Sequence, residues 1–291
     1  MDVSIIIVNY NTADLIVDCI ESINRYTKDI SFEIIVVDNN SSDKSCSVLE
    51  EKFNNIILIK SKDNLGFGRA NNLGALTAKG KYLLLLNSDI LLIDNSIKKF
   101  FDFMEEQPNE VAACGGNLYY PDMRPNFSYS LYYPSLWSIL CYRLHLSFLL
   151  NNENFNFYNK DQEVSIIIGA DLFIKKQVYN EVKGFDPDYF MYVEEGDMQL
   201  RIKKRGYIVK SLPSARFLHL QGASSNTLFK IKEEIKSYKL YFKKHYFYKY
   251  YFYIFIEMFN CLAKYSYSLI KRDVNMRNMY IDVLKFLIYK K

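Results

Sequence analysis

Three places in the chain put carboxylates where a ligand, and not a core, would meet them. Asp38 ends the apolar run Phe32-Glu33-Ile34-Ile35-Val36-Val37, Asp89 ends Leu83-Leu84-Leu85-Leu86-Asn87-Ser88, and Glu194, Glu195 and Asp197 open a basic helical stretch that closes at Gly206. A carboxylate such as Asp89 can hold a divalent cation, Mn2+ or Mg2+, against a diphosphate and neutralise charge as it builds on the leaving group. A second carboxylate, unliganded and across a cleft, can take a proton from an attacking hydroxyl. Each acid taken singly has a plainer use: Asn87-Ser88-Asp89 are all turn formers, and Asp197 can cap or begin its helix. Taken together they describe one task.

Other chemistries lack their residues. Gly66-Phe67-Gly68 does not extend to G-x-G-x-x-G, because no third glycine falls in register and no strand directly precedes it. Walker-type phosphate loops, G-x-S-x-G and H-E-x-x-H are absent from the sequence. The five cysteines (Cys19, Cys46, Cys114, Cys141 and Cys261) contain no C-x-x-C, which fits a reducing cytosol and argues against a disulfide framework or a zinc site. A formal net charge of +4 is too slight to argue for nucleic acid.

The elements that must position the acids follow from the pattern. Four consecutive leucines entered from Gly80 read as a strand buried on both faces, as a parallel sheet covered by helices requires. Residues 3–9, 32–37 and 56–59 are runs of the same kind. Between the first two, Leu15, Ile16, Cys19, Ile20 and Ile23 recur at helical spacing, and a further helix is expected over 69–77. Strand, helix, strand, helix with short polar turns predicts an α/β fold with a mostly parallel sheet, whose ligands bind beyond the carboxyl ends of the strands. After Asp89, Asp94 can cap a helix bearing Ile97, Phe100, Phe101 and Met104, and 111–115 reads as a strand. Residues 119–160 are aromatic and aperiodic, and 164–169 return as a strand before a helix ending near Lys183-Gly184. A helix over 198–205 and two short strands, the second ending at His219, complete the pattern.

From about Thr227 the chain turns basic and aromatic. Ile231, Ile235, Tyr238 and Phe242 make a helical seam flanked by Lys232, Lys236, Lys239 and Lys243, so a domain of 1–226 and a helical region of 227–291 are expected. No run reaches the roughly 18 uncharged apolar residues of a membrane span, and Lys249 and Glu257 interrupt the most apolar stretch. An interfacial helix on a membrane surface is the favoured reading, with packing or a homodimer contact as the alternative. Met1-Asp2-Val3-Ser4 has no basic n-region, so no signal peptide is expected.

Five separated motifs carry a resemblance across nearly all of residues 3–225: VSIIIVNYN at 3–11, IVVDNNSSD at 35–43, NLGFGRANNLG at 64–74, LLNSD at 85–89, and GFD at 184–186 through EEGDMQLR at 194–201. HLQGAS at 219–224 trails them. The chain resembles a family 2 inverting glycosyltransferase of the GT-A fold, a Rossmann-like mostly parallel sheet flanked by helices, here with a helical C-terminal extension. It is most similar to the rhamnosyltransferase-like branch of bacterial surface-polysaccharide biosynthesis, such as O-antigen or capsule.

The resemblance implies roles. Asp38 would hydrogen-bond the pyrimidine of a dTDP- or UDP-sugar, with Tyr10 near the base and Asn64, Gly68, Asn72 and Ser88 beside the nucleotide. Asn87-Ser88-Asp89 looks like the family's D-x-D element with its first aspartate replaced, leaving Asp89 as metal ligand and His219 as its companion. Glu195 stands where relatives carry the aspartate that serves as general base. Asp171, Glu194 and Trp137 are acceptor-side candidates. The function implied is transfer of rhamnose or another hexose to a hydroxyl of a growing, lipid-linked glycan, by an enzyme peripheral at the cytoplasmic face of the membrane. A nucleotidyltransferase is the enzymatic alternative, but it would usually show a Gly-rich basic loop after the first strand, and Tyr10-Asn11-Thr12 is neither. A non-catalytic sugar-nucleotide-binding subunit is the other alternative.

Overall fold

The structure, a computed structural model, describes residues 1–150, 153–220 and 227–288. Its first part alternates strand and helix: β1 (Val3–Asn9), α1 (Ala13–Tyr26), β2 (Phe32–Asp38), α2 (Ser45–Lys52), β3 (Ile56–Lys60), α3 (Phe67–Thr77) and β4 (Tyr82–Asn87). Then come β5 (Ile90–Leu92), α4 (Ser96–Glu106), β6 (Val111–Tyr119), β7 (Tyr129–Ser130) and α5 (Leu136–Arg143). They are followed by β8 (Gln162–Val164), β9 (Ile166–Ile167), β10 (Asp171–Lys175), α6 (Lys176–Glu181), α7 (Glu194–Lys203) and β11 (Ile208–His219). Three long helices close the chain: α8 (Thr227–His245), α9 (Phe247–Ile270) and α10 (Val274–Ile288).

Contacts divide the chain into two compact units. The first holds residues 1–133, 153–187 and 194–222; the second holds 134–152, 188–193 and 223–291. The boundary expected at 226–227 meets residues outside the described ones, as do 221–224 of the trailing sequence motif.

The first unit is built on one large sheet in the order β3-β2-β1-β4-β10-β6-β11-β5, with β8 also paired to β11. Strands β3, β2, β1 and β4 run parallel, so the ends carrying Asn9, Asp38 and Asn87 share one edge. The alternation of β4 explains why its leucines need no polar partners. Tyr82, Leu84 and Leu86 join the layer covered by α1 and α4, whereas Leu83 and Leu85 join the layer covered by α6 and α7. Each such side chain taken from water contributes about 1.5–3 kcal/mol.

The second half of the sheet departs from the sequence reading. The strand inserted beside β4 is β10, which is antiparallel to both β4 and β6, whereas the pattern had placed a strand over 164–169. That apolar run is instead divided between β8 and β9, and the helix after β10 is only six residues long. The two short strands expected before His219 are one twelve-residue strand, β11, with a register shift between Ser211 and Arg216. Asp94 does not cap α4: Asn95 takes that position, and Asp94 instead pairs with Lys99 and Arg216.

The second unit is helical. Ile235, Cys261, Tyr280, Val283 and Leu287 form its core, with Ile231 packed against it, in line with the expected seam. The helical region expected over 227–291 is divided at two points among the described residues. Tyr246 sits as a non-helical residue between α8 and α9. Left-handed Arg272 (φ 57°) ends the next turn, and Asp273 accepts the Met276 N–H at the start of α10.

Candidate active site

The carboxyl ends of the parallel strands are tied together by side chains. Asn9 donates through Nδ2 to Asp38 Oδ1 (2.8 Å) and to Ser41 Oγ (3.1 Å), and the Ser41 N–H donates to Asp38 Oδ2 (2.9 Å). The Thr12 hydroxyl donates to Asn9 Oδ1 (2.6 Å) and lies 3.0 Å from the Ser88 hydroxyl. A continuous polar chain thus runs Asp38–Asn9–Thr12–Ser88 across the ends of β2, β1 and β4. Asp38 is buried with donors on both oxygens, and a carboxylate has further lone pairs to offer a ligand N–H. Tyr10, at the same edge, is half exposed.

Asn64, Gly68 and Asn72, expected beside a nucleotide, have different surroundings. Asn64 shapes the loop before α3: its Oδ1 accepts from Gly66 N–H (2.9 Å) and from Asn39 Nδ2 (2.9 Å), and Gly66 adopts φ 78°, which glycine tolerates. Asn39 also accepts from Leu65 N–H, so this residue, absent from the sequence-based candidates, holds the loop in place. Gly68 is buried close to Phe185; an added Cβ would come within 2.8 Å of the phenylalanine Cβ. Asn72 clamps the Gly184-Phe185 turn, donating to Phe185 O (2.8 Å) and accepting from Phe185 N–H and Tyr179 OH. Both contacts have one cause: the α3 glycine and asparagine meet the Gly184-Phe185 turn, which sequence spacing does not reveal.

Asp89 and His219 are brought together by pairing. The antiparallel register of β5 with β11 sets His219 beside Ile90, and Leu220 N–H donates to Asp89 O (2.9 Å). Asp89 Oδ2 then lies 3.4 Å from His219 Nε2, each side chain about one-sixth exposed. Burial, with the Asp89 charge added, pushes the neighbouring Cys19 thiol well up and keeps it protonated. Adjacent ligands of an octahedral ion at about 2.0–2.1 Å sit roughly 3 Å apart, so this oxygen and nitrogen fit one divalent cation. Among the described residues no cluster of three or more His, Cys, Asp or Glu is suited to a metal.

The chain enters α7 through two left-handed residues, Tyr192 (φ 69°) and Val193 (φ 67°). A β-branched residue there is a genuine outlier, of the kind that collects at functional sites. The helix opens on Glu194 and Glu195, which differ in access: Glu194 is buried with Oε2 unpartnered, and Glu195 keeps some exposed surface. Burial raises both carboxyls, and the Glu195 charge adds to the rise at Glu194. An accessible carboxylate of raised pKa is a better proton acceptor than an ordinary one. Asp197 neither caps the helix nor faces a ligand. It pairs with Arg201 (2.8 Å), whose guanidinium also donates to Gly184 O (2.8 Å) and to Val182 O.

Asp171 is fully buried within β10 and has no surface to offer an acceptor, and Trp137 is an exposed residue of the second unit.

A nine-stranded mixed sheet between helices, with polar ligands gathered at one edge, is the GT-A architecture. The chain resembles a crystal structure of GalNAc-T7 with UDP, GalNAc and Mn2+ at a TM-score of 0.60 and 16% identity, over 81% of this chain and 47% of that one. Residues 4–182 match the model of Glycosyl transferase family 2, and the chain belongs to that family. It is 27% identical to Glycosyltransferase GlyG of Streptococcus pneumoniae, over 62% of this chain and 58% of GlyG, so it spans little more than half of that relative. It is 25% identical to an N-acetylglucosaminyl-diphospho-decaprenol L-rhamnosyltransferase of Mycobacterium tuberculosis, over 66% of this chain and 67% of that enzyme.

Proposed function

We propose that the protein is an inverting glycosyltransferase, moving rhamnose or another hexose from a dTDP- or UDP-linked donor to a hydroxyl of a lipid-linked, cell-surface glycan. The observation that carries this reading is the Asp89–His219 pair at the carboxyl edge of the sheet, beside the Asp38–Ser88 chain. Asp38 and Tyr10 would take the base, and Ser88 the ribose or phosphate side. Asp89 and His219 would hold Mn2+ or Mg2+, which when bound supplies positive charge to the diphosphate. Glu195 removes the proton from the acceptor hydroxyl. The freed oxygen forms its bond to the anomeric carbon on the face opposite the diphosphate, whose bond to that carbon breaks and whose oxygen keeps the electron pair.

The same reading places the protein at a membrane surface, on its cytoplasmic side. Among the described residues no helix is long and apolar enough to cross a membrane. Helix α9, however, exposes Tyr248, Tyr251, Phe252, Phe255, Phe259 and Leu262 along one side. Residues 227–291 carry fourteen lysines and arginines against five acids, whereas residues 1–226 are net −5. An exposed aromatic face on a strongly basic segment suits an anionic lipid surface, where aromatics insert and lysines snorkel.

The test is thermal stabilisation of the full chain by a panel of nucleotide sugars, with and without Mn2+. One donor class should raise the melting temperature in a metal-dependent way. A flat response to every nucleotide sugar would contradict the reading.

A further inference from the structure

Asp171 lies where the sheet comes apart. Phe173 pairs with Cys114, a register that sets Asp171 opposite Gly116, but the backbone ladder between β10 and β6 has already ended there. The Gly116 N–H donates instead to Asp171 Oδ2 at 2.6 Å. The carboxyl group is completely buried, and its other oxygen, Oδ1, has no hydrogen-bond partner. Buried polar atoms without partners are rare in folded proteins and call for a specific explanation.

A second such atom lies on the same face. Phe173 and Phe217 both stack on Phe100 from below the edge, at 5.3 and 5.6 Å between centroids. Side chains two residues apart along a strand share a face. Asp171 is two residues from Phe173, and His219 is two residues from Phe217, each toward the carboxyl edge. His219 Nδ1 is buried and unpartnered. The imidazole is also near enough to Asp171 to favour its carboxylate, against the burial that lifts that group to about 7.

We propose that Asp171 is a positioning residue for His219: its Oδ1 receives the Nδ1–H, directly after a small rotation or through one enclosed water, and so keeps the Nε2 lone pair facing Asp89. The inference rests on the proposed role of Asp89 and His219 as the cation's ligands. A histidine that ligates a metal through one nitrogen ordinarily donates its other N–H to a carboxylate or carbonyl, which fixes the tautomer and the ring. This gives each of the two orphaned atoms a partner, and the Gly116 N–H holds the carboxylate in place.

Asp171→Asn makes the proposal testable, because Gly116 N–H still requires an acceptor. The amide must keep its oxygen there and turn its NH2 toward His219, which reverses the hydrogen-bond chain and demands the Nε2–H tautomer. The experiment is long-range 1H–15N correlation of the full-length protein with 15N-histidine, free of metal. There are three histidines, and His219→Gln assigns the relevant signals. Wild type should show His219 as the Nδ1–H tautomer and Asp171→Asn as Nε2–H. Calorimetry with MnCl2 in the presence of UDP should show Mn2+ affinity falling by about 10–100-fold in the variant, while UDP affinity without metal is unchanged. A wild-type Nε2–H tautomer would overturn the proposal, and so would a variant with unaltered tautomer and Mn2+ affinity. If Asp171→Asn does not fold, the wild-type spectrum alone decides. A wild type that binds neither UDP nor Mn2+ would sink the glycosyltransferase reading, and the tautomer would still be read independently.

Discussion

Arg143 on α5 and Glu257 on α9 form an ion pair at 2.9 Å, with Glu257 almost fully buried and Arg143 also reaching Glu234 at 3.0 Å. This pair decides what α9 shows to its surroundings. In the sequence, Glu257 interrupts an aromatic stretch and argues against burial of that stretch in lipid. In the structure, the acid faces the core of its own unit, and the aromatic side is left without an acidic residue.

The aromatic side should therefore bind lipid. Full-length protein is expected to co-sediment with vesicles containing phosphatidylserine, and high salt should release only part of it. Each lysine near an anionic surface contributes on the order of 1 kcal/mol that salt screens, whereas the inserted rings contribute a portion that it does not. Phe255→Glu with Phe259→Glu should remove the salt-resistant fraction and leave donor binding unchanged. Vesicle binding by the double variant equal to wild type would show that another surface is used. A concentration-dependent dimer that the variant abolishes would assign the face to a second copy.

Asp89→Ala should leave the fold intact, because the side chain is at a strand end and not in the core. Metal-dependent binding of UDP or dTDP should be lost, with the weaker metal-free binding retained through Asp38. Calorimetry in the presence and absence of MnCl2 reads both quantities. Unchanged metal-dependent affinity would mean the cation, if any, is held elsewhere.

Glu194 is a buried acid whose carboxyl is raised by burial and by Glu195. Its folded-state pKa lies above its unfolded one, so the folded state binds more protons between the two values, and stability falls as pH rises through that window. Glu194→Gln removes this loss. Its stability relative to wild type, from urea unfolding, should increase from pH 4, where the glutamate is mostly protonated in both states, to pH 8. A difference that is flat with pH would show that Glu194 titrates normally.

Much of the first half was legible in the sequence, because continuous apolar runs such as 83–86 have one good solution, a strand covered on both faces. The acids at the strand ends were legible for the same reason. What was not legible depends on long-range pairing. β10 contains an aspartate and lies beside an equally apolar run at 164–169, so periodicity chose the wrong segment. Gly68 and Asn72 carry a motif usually read as nucleotide contact, yet their partners, Phe185 and the Gly184 turn, lie more than a hundred residues away. Asn9, Thr12 and Asn39 have no signature beyond turn propensity, and their role appears only when three strand ends are side by side.

The central claim is that Glu195 drives an inverting displacement at a nucleotide-sugar donor. Water can replace the acceptor, so slow donor hydrolysis tests the claim without knowing the natural glycan. The measurement is 1H NMR of the sugar released in the first minutes, for wild type and Glu195→Gln, using the donor that stabilises the protein. Wild type should release the anomer opposite to that of the donor. Its rate should fall as pH drops through a pKa above the ordinary glutamate value, because burial raises the Glu195 carboxyl. Glu195→Gln should be about 10²–10⁴-fold slower with donor affinity nearly unchanged. Release of the donor's own anomer, or an undiminished rate in Glu195→Gln, would contradict the account.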